Sequence, residues 1–149
     1  MRRWLVILVL VLGLPARAAQ TDRVTAFVDE SMRGAFQELV STFERETIHR
    51  VSPTFASTGA LVQLIENGTH ADLVLLAGQD AVERLNKRGL FHQSTLVPLV
   101  GPPAGRTTAG VFHLAIMATR ERTITRVLYD FLRSARAGEA YRRHGFQTN

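Results

Sequence analysis

Residues 55–78, FASTGALVQLIENGTHADLVLLAG, constrain the fold more than any other part of this chain. They carry a strand end, a polar turn, a short helix and a second strand in succession. Residues 52–56 read as extended backbone, and Ser57, Thr58 and Gly59 then supply two hydroxyls and a permissive backbone where a helix would begin. Leu61, Leu64 and Ile65 share one helical face, and Asn67 with Gly68 marks its stop. Residues 71–77, ADLVLLA, are a nearly continuous apolar run of strand length, the pattern of a strand covered on both faces. Strand, helix and strand make a βαβ unit, which is right-handed by strong default and opens its loops at the carboxyl ends of its strands.

The turn therefore sits where such folds bind ligands. The first amides of a helix lack internal partners and the dipole makes that end positive, so Ser57, Thr58 and Gly59 have the chemistry to hold an oxyanion. The plainer alternative is that Ser57 or Thr58 only caps the helix, an ordinary role for either residue type.

The flanking sequence repeats the alternation. Residues 23–28, RVTAFV, read as a strand ending at Asp29, Glu30 and Ser31, and a helix is expected over about residues 32–47 with Asp29 or Ser31 as its cap. Gly34, early in that helix, suits close packing or ligand approach. Residues 79–88 form another helical pattern ended by Gly89. Residues 96–100 are a strand that Pro98 confines to an edge. The turn-rich stretch 101–110, GPPAGRTTAG, precedes a last strand over 111–118. Ile124, Val127, Leu128, Phe131, Leu132 and Ala135 keep helical spacing, residues 138–144 add a shorter helical segment, and Phe146 is expected to pack back as a terminal anchor. This order predicts an α/β fold of three layers, a largely parallel sheet flanked by helices.

The first residues read differently. Arg2 and Arg3 precede an apolar run from Trp4 to Leu14, and Ala16 and Ala18 offer small side chains at signal-peptidase spacing, so residues 1–19 are expected to be a secretory leader and 20–149 a single lobe. The apolar run is short for a transmembrane span, and stable membrane insertion is not expected. There is no cysteine for lipid attachment, a disulfide or thiolate metal binding. Removing Arg2, Arg3 and Arg17 would take the formal charge from +5 to about +2, and the late arginines are interleaved with Glu121, Asp130 and Glu139. Nucleic-acid binding is accordingly not expected.

Nothing points to catalysis. The five histidines, His49, His70, His92, His113 and His144, show no metal-ligand spacing, and neither a GxSxG elbow nor a Walker-type loop is present. Asp29 and Glu30 are adjacent, which on an extended strand points their carboxylates to opposite faces, poor geometry for acid/base pairing and adequate for capping. The chain reads as a non-enzyme without a cofactor or metal.

Three stretches carry a family resemblance: RVTAFVDESMRGAFQELVSTFERE, TFASTGALVQLIENGTHADLVLLAGQDAVERLNKRGL and VLYDFLRSARAGEAYRRHGF. With the leader, they resemble the molybdate-binding proteins of ABC transporters. The resemblance implies a periplasmic-binding-protein-like fold of type II, in which two α/β lobes close on a tetrahedral oxyanion held by hydroxyls and backbone amides at helix starts, without a metal or a cationic side chain. The positions matching the family's ligands are Ser31 and Thr58, with Ser57 and Gly59 beside the latter. Molybdate, tungstate or a related oxyanion is the implied ligand, an ABC permease the implied partner, and the periplasm or exterior the implied location.

The sequence departs from that family in two ways. It is shorter, and residues 101–110 stand where a second lobe would be inserted. Asp29 and Glu30 also replace the small residues usual before the first ligand serine, and a carboxylate about 6 Å from a dianion opposes binding by roughly 5 kcal/mol at an effective dielectric near 20. The expectation is a single lobe that binds oxyanion weakly and dimerises through an apolar cleft face left uncovered. The alternative is an extracytoplasmic interaction or sensor module that reuses the lobe without an oxyanion.

Overall fold

The computed structural model of the chain describes residues 22–106 and 110–148; the expected leader, residues 1–19, lies outside them. Strand β1 (Arg23–Asp29) passes through a 3-10 turn (Glu30–Met32) into α1 (Arg33–Glu46). The βαβ unit follows as β2 (Arg50–Ala56), α2 (Thr58–Glu66) and β3 (Leu73–Ala77), and α3 spans Gln79–Lys87. A second 3-10 turn (Gln93–Thr95) leads to β4 (Val97–Val100), β5 (Phe112–Ile116), α4 (Thr123–Leu132) and α5 (Ala135–Arg143).

The five strands lie in the order β2-β1-β3-β5-β4. β1 pairs in parallel with β2 and β3, whereas β5 runs antiparallel to both β3 and β4. Four strands thus share one direction and β5 is reversed. The reversal has a local cause: the connection from Val100 to Phe112 holds no helix among its described residues, and a parallel return needs a crossover usually built on one. Pro98 lies on β4, an edge strand as expected, beside an irregularity in the pairing with β5.

Strand alternation divides the core into two layers. Val24, Ala26, Val28, Leu73, Leu75 and Leu114 face α1, α4 and α5, while Phe27, Val74, Leu76 and Ala115 face α2 and α3. β3 is apolar throughout because it is covered on both sides, with Leu73, Leu75 and Leu76 fully buried. α2 is capped by Ser57, whose hydroxyl accepts from the Ala60 amide at 3.3 Å. Ser134 breaks the last helical region in two, its hydroxyl accepting from Ala137 N–H, so α5 begins three residues earlier than the spacing indicated.

α5 packs on α1 where Gly34 leaves room for it. A Cβ at Gly34 would stand 3.0 Å from His144 Nδ1, so the small residue serves packing here. Glu38 accepts from Arg143 and, at 2.8 Å, pairs with His144 across the same contact. The Arg143 hydrogen bond, then that of His144, holds the Glu38 carboxyl below its ordinary range. Phe146 packs edge-on against Phe112 at 5.5 Å, the terminal anchor anticipated from its position.

Few large hydrophobic side chains are exposed among the described residues. The exposed large hydrophobics are Ile48, Val111 and Val127, which lie before β2, before β5 and on α4.

Candidate functional site

The parallel register brings three strand ends together. Asp29 at the end of β1 lies opposite Ala56 at the end of β2, and Val28 pairs with Leu75 of β3. β2 then turns through Ser57 directly into α2, while β1 turns through Glu30 and Ser31 into α1. Ser31 and Thr58, far apart in sequence, meet at this edge.

What they meet on is Asp29. Its Oδ1 accepts from the Ser31 amide at 3.0 Å and from the Ser31 hydroxyl. Its Oδ2 accepts from the Thr58 amide at 3.0 Å and from Thr58 Oγ1 at 2.6 Å. Each carboxylate oxygen therefore receives one backbone N–H and one hydroxyl. Thr58 Oγ1 also accepts from the Ala77 amide at 2.9 Å, which ties in the end of β3. Asp29 is only 8% exposed, and charge-assisted hydrogen bonds offset the desolvation of its carboxylate. Its charge also lies at the positive end of α2.

The other candidates sit at the margin. Ser57 is exposed, with its hydroxyl engaged in the α2 cap, and Gly59 is exposed on the first turn of α2 with open space where a side chain would be. Glu30 is exposed while Asp29 is buried, and Glu30 opens the 3-10 turn, so only Asp29 belongs to the extended strand. Asp29 caps the 3-10 turn through the Ser31 amide, as expected of it, but its second oxygen reaches Thr58. The signal for that reach is the β1–β2 register, which no local pattern contains. On the far side, the Gly78 amide donates to Val111 O at 3.0 Å, and Gly110 approaches Gly78 so closely that a Cβ would lie 3.3 Å from Gly78 Cα. The 101–110 connection thus returns beside the end of β3.

The histidines remain dispersed over separate elements. His92 pairs with Glu121 at 2.7 Å and His144 with Glu38. Burial lowers the His113 pKa below its ordinary 6.5, against a smaller opposing effect of the Val111 backbone. The unfolded chain then binds the proton more readily, so this contribution to stability is complete above about pH 6.5 and is lost as pH falls toward the folded value. Denaturant unfolding from pH 7.5 to 5 should show that acid-side loss in the wild type and a flatter profile in His113→Gln.

Residues 24–106, more than half of the chain, match the bacterial extracellular solute-binding protein family. The chain belongs to that family. The molybdate-binding protein ModA of Azotobacter vinelandii is 34% identical over 77 residues, which are 52% of this chain and 31% of that protein. The match therefore spans about a third of the curated relative. Among solved structures, the substrate binding domain of a putative molybdenum ABC transporter from Clostridium difficile superposes with a TM-score of 0.77 at 10% identity, covering 85% of this chain and 99% of that one. The Azotobacter vinelandii periplasmic molybdate-binding protein gives 0.74 with the same identity and coverage. The sulfate-binding protein SubI from Mycobacterium tuberculosis H37Rv gives 0.66 at 11% identity, covering 85% of this chain and 87% of that one. At these identities the superpositions establish the fold, which is the α/β lobe expected of a solute-binding protein. The resemblance to molybdate-binding proteins of ABC transporters is borne out, and these relatives are solute-binding proteins, not enzymes. No helix among the described residues is long and apolar enough to cross a membrane.

Proposed function

We propose that this family member is an exported, single-lobe solute-binding protein that takes a tetrahedral oxyanion of the molybdate or tungstate kind at Ser31 and Thr58, in ABC-type transport with a permease. Residues 1–19 would be its leader, residues 20–149 the lobe, and 101–110 the joint where longer relatives insert a second lobe. The observation that carries this reading is the convergence of two amide and hydroxyl pairs, from separate segments, on the two oxygens of one carboxylate. Neutral donors at helix starts suit an oxyanion because they offer directed hydrogen bonds and partial positive charge without a mobile cation. Ser57 and Gly59 border this cradle and shape its rim.

Binding is expected to be weak, since one lobe supplies donors on one side only. The test is thermal unfolding of the chain from Gln20 onward, with molybdate, tungstate and sulfate in separate series. A ligand that binds only the native state raises the midpoint as its concentration increases. The midpoint should rise with molybdate in the millimolar range, and Thr58→Ala should abolish the rise. A cooperative transition unmoved by any of the three would overturn the proposal and favour a module that uses the lobe for protein contacts alone.

A further inference from the structure

The same geometry points to Asp29 as a tethered occupant of the cradle, so that a free oxyanion binds only by displacing the chain's own carboxylate. This rests on the oxyanion reading of Ser31 and Thr58 and adds what sets the affinity of that site. Capping of the 3-10 turn needs only the bond from Ser31 N–H to Oδ1. The Thr58 amide and hydroxyl, donated to Oδ2 from 29 residues away, lie outside that role. Together the four donors leave each oxygen of Asp29 held as an oxygen of a bound oxyanion would be held.

No cationic side chain forms a salt bridge with Asp29 among the described residues. Arg33, on the first turn of α1, is placed over the Phe55 ring at 4.5 Å instead. The carboxylate is thus retained by the cradle's neutral donors. Being part of the chain, it competes at the effective concentration of a short tether, of millimolar order. When displaced it remains close by and repels a bound dianion. Both effects act against molybdate, and both vanish with the carboxylate.

The experiment is calorimetric titration of molybdate into the wild-type chain, Asp29→Ala and Asp29→Asn, each first shown to unfold cooperatively. Asp29→Ala should bind at least about tenfold more tightly than wild type, the factor lost when a site is free only about a tenth of the time. Asp29→Asn should also gain affinity, because the amide lacks the charge and turns a donor toward donors. Wild-type binding that depends on Thr58, with no gain in either variant, would overturn this inference and leave the oxyanion reading intact. Binding by Asp29→Ala alone would support the tethered occupant while removing the transport role of the wild-type chain. No binding by any form would overturn both. If neither variant folds, carbon NMR of wild-type Asp29 decides: its carboxyl resonance should move with the Ser31 and Thr58 amides as molybdate is added. Movement of the amides alone would contradict displacement.

Discussion

Phe36→Ala is expected to lower the free energy of unfolding by about 3–5 kcal/mol, the range for removing a buried aromatic ring and leaving a cavity. Phe36 is completely buried on α1 in the larger core layer, with Val28 and Met32 from the segments that lead into the cradle. Its ring meets Phe55 edge-on at 6.1 Å, a contact between α1 and the end of β2. Arg33 covers the Phe55 ring as well. Truncation therefore removes packing from both strand ends that position Asp29 and Thr58. Urea unfolding should show a lower midpoint with an unchanged dependence on denaturant, and a loss under about 1 kcal/mol would mean that the ring is not packed as described.

Thr58→Val should cost about 2–3 kcal/mol, although it is nearly isosteric. The Thr58 hydroxyl both donates to Asp29 and accepts from the Ala77 amide, so valine leaves a carboxylate short of a donor and a backbone N–H short of an acceptor. Partial exposure lets water relieve some of that cost. Thr58→Ser keeps both bonds and should cost under about 1 kcal/mol, from the lost methyl group. A larger loss in Thr58→Ser than in Thr58→Val would show that the methyl, which valine keeps, matters more than the hydroxyl. This pair separates the structural work of Thr58 from its proposed role toward a ligand, which thermal unfolding with molybdate measures.

Local pattern carried most of the elements. The apolar run of β3 was legible because burial on both faces removes alternation, and α2 was bounded by Ser57 and by Asn67 with Gly68. The last helical region was legible as two segments, but the break at Ser134 was placed three residues late, because Leu132, Ala135 and the residues beyond keep an apolar face across it. The reversed direction of β5 follows from the helix-free return from β4, but its pairing with β3 joins segments distant in sequence, and periodicity contains no such information. The candidate site was legible to the same depth. Ser31 and Thr58 follow strands and begin turns, so each could be selected from its own surroundings. Asp29 could be read as a cap, but its bond to Thr58 follows from the register Asp29 to Ala56. Gly59 shares the polar turn with Thr58, yet it faces open space, since successive residues of a helix start point in different directions.

The most direct test of the central claim is a crystal structure of Asp29→Ala with saturating molybdate. The account predicts one oxyanion at the ends of β1 and β2, with oxygens within hydrogen-bond distance of the amides and hydroxyls of both Ser31 and Thr58. A cradle without the anion, or an anion bound elsewhere on the lobe, would contradict it.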